Sequence, residues 1–292
     1  MFSRAAPLLI AAAVTACVPR PQLAAPTPPA TVKVATWNVK DFFDAKDDPR
    51  KEDDVPAEAA VARKIELLAT VLREIDADVI LLQEVENVEL LQRLAVAAAP
   101  LHYGAYLREG ADPRGIDVAL LARTRLLRYD GHLHDLDSSG KPLWSRDLVE
   151  AHLDAGGRQL VIVGSHLKSK RISRSDDRRR EQAERMRAVA DDVRARWPAA
   201  LVVIAGDLND DPDSWSLQPL LEDGTWVDLG SRLPDDAAWT WSSRGRGRSR
   251  LDYLIVPRAQ EARVRSLTVW SSPAVMQASD HRPVVAVIEV GR

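Results

Sequence analysis

The run Leu201-Val202-Val203-Ile204-Ala205 is unbroken, apolar and rich in β-branched residues, and it passes directly into Gly206-Asp207-Leu208-Asn209-Asp210-Asp211-Pro212. It lacks the alternation of a half-exposed strand, so it predicts a strand covered on both faces. Whatever fold contains it must supply a layer on each side. Gly206 lets the backbone turn closely, and Asp207, Asn209, Asp210 and Asp211 emerge at the carboxyl end of the strand, where ligand and catalytic groups gather in layered folds. Asn, Asp and Pro are also ordinary turn residues, so this stretch taken alone reads first as a structural Asx turn.

The other segments supply partners for it. Residues 31–39, ending in Trp37-Asn38-Val39, alternate and read as a first strand. Residues 56–75 carry apolar side chains at helical spacing through Ala60, Ile65, Leu68 and Leu72. Residues 78–84 form another buried strand, and Glu84 follows its apolar run at a place where a carboxylate needs a partner, a metal ion or an arginine. Residues 114–123 read as a strand entered from a loop. Residues 148–153 and 159–166 read as a hairpin whose second strand ends at His166. A charged amphipathic helix over 178–197 then leads into the strand at 201, giving a β-helix-β unit around Asp207. Trp215, Trp226, Trp239 and Trp241 fall in loops and edges, and strands follow over 251–256, 264–270 and 283–290. Between the last two lies Ser279-Asp280-His281-Arg282-Pro283.

Composition excludes little. The 292 residues are 46% hydrophobic and 28% charged, ample for one large catalytic domain. With 40 basic and 43 acidic residues, bulk charge identifies no partner. The single cysteine, Cys17, excludes an internal disulfide and a cysteine-built zinc site. Arg4 and the apolar residues 5–14 have the charged start and short apolar core of a secretory signal, too short to span a bilayer. The end of this segment, Val14-Thr15-Ala16-Cys17, resembles the lipobox of bacterial lipoproteins. That resemblance implies a signal peptide over residues 1–16, lipidation of Cys17 and anchoring to a membrane. Val18 after the cysteine, in place of an acidic residue, resembles lipoproteins of the outer membrane that face the periplasm or the cell surface. A plain signal peptide cut nearby is the alternative. Residues 17–30 hold five prolines and read as an extended tether, so the globular domain is expected over 31–292.

Singly, these polar punctuation marks are weak signals; their order is not. Trp37-Asn38, Leu82-Gln83-Glu84, Ser165-His166, Gly206-Asp207-Leu208-Asn209, Leu251-Asp252-Tyr253 and Ser279-Asp280-His281-Arg282-Pro283 occur in the sequence and approximate spacing of the endonuclease/exonuclease/phosphatase superfamily. The chain resembles that family from about Val32 to its C-terminus. The resemblance implies a four-layer α/β/β/α sandwich with two mixed sheets packed face to face and helices outside. It also implies hydrolysis of a phosphate ester by in-line attack of water with a divalent ion, Mg²⁺ or Mn²⁺. By the same resemblance Glu84 is the first metal ligand, with Asn38 and Asp280 as further ligands or supports. His281 is the general base or transition-state stabiliser, oriented by Asp252. Asp207 positions the water, Asn209 donates to a phosphate oxygen, and His166 serves the leaving oxygen, with Asp117 a candidate to orient it. Mg²⁺ suits such a set because it takes hard oxygens and keeps several of its waters.

Substrate class is read from where positive charge lies. Lys168, Lys170, Arg171 and Arg174 follow His166, with Arg178, Arg179 and Arg180 beyond. Arg244, Arg246, Arg248 and Arg250 precede Asp252. Lys168, Arg171, Arg244, Arg246 and Arg248 are therefore the candidate contacts to substrate phosphates, and nucleic acid is the expected partner of a monomeric enzyme. A phosphatase or a sphingomyelinase-type phosphodiesterase of the same superfamily is the alternative, although no contiguous apolar loop suited to entering lipid stands out. A non-catalytic scaffold or adhesion protein on this fold is the second alternative. It conflicts with the completeness of the motif set.

Overall fold

The computed structural model describes residues 31–172, 175–243, 245 and 247–291; the expected signal segment, Cys17, the expected proline-rich tether, Arg244 and Arg246 lie outside the described residues. The chain opens with β1 (Thr31–Phe42), α1 (Glu58–Ile75) and β2 (Val79–Val85). It continues through α2 (Val88–Ala97), β3 (Gly104–Leu107), β4 (Asp117–Ala122), β5 (Arg125–Gly131), β6 (Val149–Ala155) and β7 (Arg158–His166). Next come α3 (Asp176–Arg196), β8 (Leu201–Asp207), α4 (Gln218–Leu221), β9 (Trp226–Asp228) and α5 (Asp235–Ala238). The chain closes with β10 (Trp241–Ser243), β11 (Gly247–Ser249), β12 (Asp252–Pro257), β13 (Val264–Val269), α6 (Pro273–Ala278) and β14 (Val284–Glu289).

One six-stranded sheet has the order β13-β14-β1-β2-β4-β3 and the other β5-β6-β7-β8-β12-β9, with β10 and β11 paired separately. Both sheets are mixed. Each has one parallel pair joined by a helical crossover: β1 with β2 through α1, and β7 with β8 through α3. The doubly covered strand expected at 201–205 is what the structure contains. Leu201, Val203 and Ala205 point into an apolar layer between the sheets, while Val202 and Ile204 point outward under α3. On the other sheet, Val32 and Val34 face the middle layer and Ala35 and Trp37 face α1, α2 and α6. Three apolar layers therefore separate four structural ones, the α/β/β/α sandwich. Gly164 sets the spacing of the sheets at one point, since a Cβ there would sit 2.3 Å from Leu81 Cδ2.

Several elements were not evident in the sequence. The helix α2 starts immediately after β2 under an Asn87 cap that accepts from the Leu90 amide at 2.8 Å. Strand β5 is an edge strand of charged and half-exposed residues with no clean alternation. Trp226, expected in a loop or edge, is on edge strand β9 yet fully buried among the apolar residues under α3.

Candidate active site

Both parallel pairs end on the same side of the sandwich, so their carboxyl termini deliver Asn38, Glu84, His166 and Asp207 to one place. Antiparallel β12 starts there with Asp252, facing Asp207 in register. The loop between α6 and β14 adds Asp280 and His281. The resulting cleft has a volume of about 630 Å³, and Asn38, Glu84, His166, Asp207, Asn209, Asp280, His281 and Arg171 line it. Asp252 lies beneath, buried against His281. A larger depression of about 740 Å³ adjoins it along β9 and α5 but contains neither histidine.

The backbone at the cleft is held in costly shapes. Glu84, Lys40, Asp41 and Asn209 all adopt positive φ, between 47° and 65°, a region that side-chain-bearing residues seldom occupy. The β1–β2 ladder slips between Asn38 and Phe42, and the β2–β4 ladder between Gln83 and Val85, so both strands bulge where Asn38 and Glu84 enter the cleft. Gly206 has φ 140°, and a Cβ on it would lie 1.9 Å from the Ser165 carbonyl, so only glycine lets β8 approach β7 here.

Specific bonds fix these shapes. Lys64 from α1 donates to the carbonyls of Val39 at 2.7 Å and Lys40 at 2.9 Å, and also to that of Ala278. It thereby ties the Asn38 bulge to α6. Burial pulls the Lys64 ammonium down to about 8, against the nearby Asp41 and Glu84 carboxylates. Ser279 donates to the Asn38 carbonyl at 2.8 Å and accepts from the His281 amide at 3.0 Å.

Two histidines face one carboxylate. His281 Nδ1 is 2.7 Å from Asp252 Oδ2, which leaves Nε2 directed at Asp207 Oδ2, 3.8 Å away. His166 Nε2 approaches the same Asp207 oxygen at 3.4 Å. Asn38 Nδ2 bridges Asp207 Oδ2 at 2.9 Å and Glu84 Oε1 at 3.0 Å, and the Asp41 amide donates to Glu84 Oε2 at 2.9 Å. Burial and the adjacent Asp252 raise Asp207 above the usual carboxylate range, with His281 and the Asn38 bond opposing. For His281 burial acts downward, but the Asp252 and Asp207 carboxylates overcome it and hold the imidazole up at about 9. His166 goes the other way. Burial, then Arg146 and His281, push it well below an ordinary imidazole, so it stays neutral. Its Nδ1 is buried with no hydrogen-bond partner among the described residues.

The expected orientation of His166 by Asp117 does not occur. Asp117 Oδ1 accepts from the Gly110 amide at 2.8 Å and opens into a different depression, because it starts β4, which lies in the other sheet from His166. Asn209 is at the cleft, but its Nδ2 donates to the Leu167 carbonyl at 3.1 Å. Lys168 is half-buried, and its backbone is bonded to Gln182 and Arg179 of α3; it does not line the cleft. Arg248 stacks over Trp239 at 4.5 Å in the adjoining depression. The Arg178-Arg179-Arg180 run is already neutralised. Arg178 meets Asp137, Arg179 is buried against Asp210 and Asp176, and Arg180 pairs with Glu184.

The cleft also contains cations that the sequence did not single out. Arg146 is fully buried and donates to the carbonyls of His166 at 3.0 Å and Leu167 at 2.8 Å while pairing with Asp112. Arg114 reaches Asp41, and Lys40 pairs with Asp280 at 3.2 Å. Arg171, which the sequence did offer as a phosphate contact, joins them, 5.5 Å over Trp241, whose indole donates to Asp280 at 3.3 Å. The donor set fits a hard divalent cation. Glu84, Asp207 and Asp280 offer carboxylate oxygens into one cleft beside the Asn38 amide, and Glu84 retains lone pairs after its two bonds. The buried trio Asp207, Asp252 and His281 has ligand atoms within 4.8 Å of one another. Its internal Asp252 to His281 bond makes it a proton-handling unit, so Glu84 is the better ligand.

The model of the Endonuclease/Exonuclease/phosphatase family matches residues 35–281. No curated protein sequence matches the chain. Among solved structures, D. rerio TDP2 complexed with a single-strand DNA product is 19% identical with a TM-score of 0.65, covering 89% of this chain and 99% of that one. The human Nocturnin catalytic domain is 16% identical with a TM-score of 0.65, over 88% of this chain and 93% of that one. A mannosyl-6-phosphatase from Bacteroides thetaiotaomicron is 16% identical with a TM-score of 0.64, over 88% and 99%.

Proposed function

The chain belongs to the endonuclease/exonuclease/phosphatase family, and from that premise we propose that it is a Mg²⁺-dependent phosphodiester hydrolase that cleaves nucleic acid outside the cytoplasm. One observation carries the reading: the carboxyl ends of β1, β2, β7 and β8 bring Asn38, Glu84, His166 and Asp207 together with the Asp252–His281 pair in a single cleft. Glu84 would hold the ion, with Asn38 and Asp280 supporting it. The bound ion supplies charge neutralisation at the phosphoryl oxygens.

The remaining work belongs to the side chains. Asp252 fixes the ring of His281 so that Nε2 faces the phosphoryl group. Asp207, made more basic than an ordinary carboxylate by burial, orients the attacking water and accepts the water's proton, while His281, already charged at neutral pH, stabilises the charge that develops. His166 acts as a neutral hydrogen-bond donor to a phosphoryl or leaving oxygen, because Arg146 and burial oppose its protonation. Arg146 and Arg114 add fixed positive potential on one wall.

Arg171 stacked on Trp241 supports a polyanion with bases as the substrate, since a cation and an aromatic face serve phosphate and base together. The adjoining depression along β9 presents five carboxylates, Asp211, Asp213, Asp228, Asp235 and Asp236, against three arginines. A nucleic-acid chain is thus better accommodated on the Lys170 and Arg171 side. The similarity to a TDP2 complexed with single-strand DNA product points the same way. The mannosyl-6-phosphatase of like fold keeps a phosphate monoester as the competing substrate. We place the enzyme at a bacterial membrane, tethered through Cys17 and residues 17–30. A substrate panel decides: DNA, RNA, sphingomyelin, inositol phosphates and a hexose 6-phosphate, each with Mg²⁺, Mn²⁺ or EDTA. Faster turnover of any small ester than of every polynucleotide refutes the nuclease assignment.

A further inference from the structure

A second group of metal-ligating side chains lies on the outer face of the β5–β6 edge, apart from the cleft. Glu150 and His152 alternate with Val149, Ala151 and Leu153, which fill the layer between the sheets, so both polar side chains stand on the opposite face. The β5–β6 ladder sets Asp130 directly across from Glu150. Asp130, Glu150 and His152 offer ligand atoms that all lie within 4.8 Å of one another. His132, just beyond β5, stands at the rim of this trio rather than within it: its Nε2 is 3.3 Å from Glu150 Oε2, while His152 Nε2 is 2.6 Å from Glu150 Oε1.

We propose that Asp130, Glu150 and His152, with His132 closing in from the rim, bind a transition-metal dication, Zn²⁺ above all, as a staple between edge strand β5 and the sheet. Imidazole with carboxylates is a donor set of such ions, in contrast to the oxygens of Glu84, Asp207 and Asp280 offered to a hard cation at the cleft. The far ring nitrogen of His152 is already provided for. His152 Nδ1 is 2.7 Å from the Gln159 side-chain amide, whose oxygen can take the proton acceptor's place by an amide flip. His132 Nδ1 is 3.5 Å from Arg185 Nη2 and 3.8 Å from Asp135 Oδ2, the carboxylate that engages that guanidinium. Outer partners of this kind orient ligating histidines. Trp197 meets the His152 ring edge-on at 4.7 Å and restricts its rotation. Access is through the half-exposed Asp130 and His132, whereas Glu150 and His152 form the buried floor. Two cations stand nearby. Arg185 is engaged by both oxygens of Asp135, and Arg128 holds Asp130 but is exposed enough to swing off it.

The test uses the full chain and Zn²⁺ or Co²⁺ alone. Wild type and Glu84→Gln should each retain a tight equivalent of Zn²⁺ after dialysis against excess Mg²⁺. Co²⁺ should give the intense visible absorption of a low-coordinate nitrogen-oxygen site. His132→Ala, chosen because the side chain is partly exposed, should weaken Zn²⁺ binding by more than the roughly 10-fold minimum typical of losing an outer-shell partner. It should also abolish the Zn²⁺-dependent rise in melting temperature and leave Mg²⁺-supported cleavage unchanged. Asp130→Ala should act in the same direction with less effect. Zn²⁺ stoichiometry and melting shift identical in wild type and His132→Ala, or no Zn²⁺ retained by folded wild type, would overturn the assignment.

Discussion

Asp252→Asn keeps the shape of a buried side chain and deletes its charge, which isolates the electrostatic part of its bond to His281. That bond is 2.7 Å long and sits where neither partner meets bulk water. Opposite charges roughly 4 Å apart at an effective dielectric of about 20 attract by about 4 kcal/mol, or about three pKa units. The imidazole, now held up at about 9 against burial, should therefore titrate below an ordinary histidine in the variant. If the transition state needs the oriented, carboxylate-backed ring, a loss of about 4 kcal/mol lowers single-turnover cleavage roughly a thousandfold. Stability follows the same group. The folded-state value of His281 lies above its unfolded 6.5, so its stabilising contribution is complete below pH 6.5 and is lost as pH rises through about 9. Raised Asp207 loses stability with rising pH as well. Chelator-treated wild type should thus become less stable from pH 6.5 to 9 by about 3 kcal/mol, and Asp252→Asn should show a nearly flat profile there. Histidine ring-proton titrations by NMR, denaturant melts across pH and quenched single-turnover assays measure the three quantities. A variant that cleaves within a few-fold of wild type, or whose His281 still titrates near 9, refutes the reasoning.

Lys64→Met removes an ammonium that holds three carbonyls; at about 1.5–3 kcal/mol for each hydrogen bond to a charged group, partly replaced by water, a net loss of about 3 kcal/mol in urea melts is expected. Its kcat should fall with KM nearly unchanged, because the residue touches the Asn38 bulge and not the substrate. Arg171→Ala and Trp241→Ala should each raise KM for polynucleotide, and the arginine variant should also flatten the fall of activity with salt, since one phosphate contact fewer releases fewer counterions. Equal salt slopes in wild type and Arg171→Ala would remove this residue from the substrate path. Cys17→Ser should move the protein from the membrane fraction to the soluble one; unchanged fractionation would rule out the lipid anchor.

What was legible in the sequence follows from how each feature is encoded. Doubly buried strands announce themselves as β-branched runs, and polar residues that end such runs, Asn38, Glu84, His166 and Asp207, stand out against them. Edge strand β5 and helix α2 do not, because one is half-exposed and the other is short. Arg146 and Lys64 were not recognisable, since a cation on a loop or helix reads as solvated surface until the fold packs it against carbonyls from distant segments. The basic runs were legible only in part: Arg171 lines the cleft, while other members are neutralised for the complementary reason. Their counter-charges arrive from elsewhere: Asp137 at Arg178, Asp210 at Arg179 and Asp228 at Arg250. Spacing along the chain carries no record of that neutralisation.

The central claim is that Glu84 holds the ion on which hydrolysis in the cleft depends, and Mg²⁺ titration of single-turnover DNA cleavage by wild type and Glu84→Gln tests it most directly. Wild type should be inactive in EDTA and regain full activity on adding Mg²⁺ or Mn²⁺. Glu84→Gln should require a much higher Mg²⁺ concentration for half-maximal rate, because a neutral amide is a poorer ligand for a hard cation. Cleavage that persists in EDTA, or superimposable Mg²⁺ curves for the two proteins, would contradict the account.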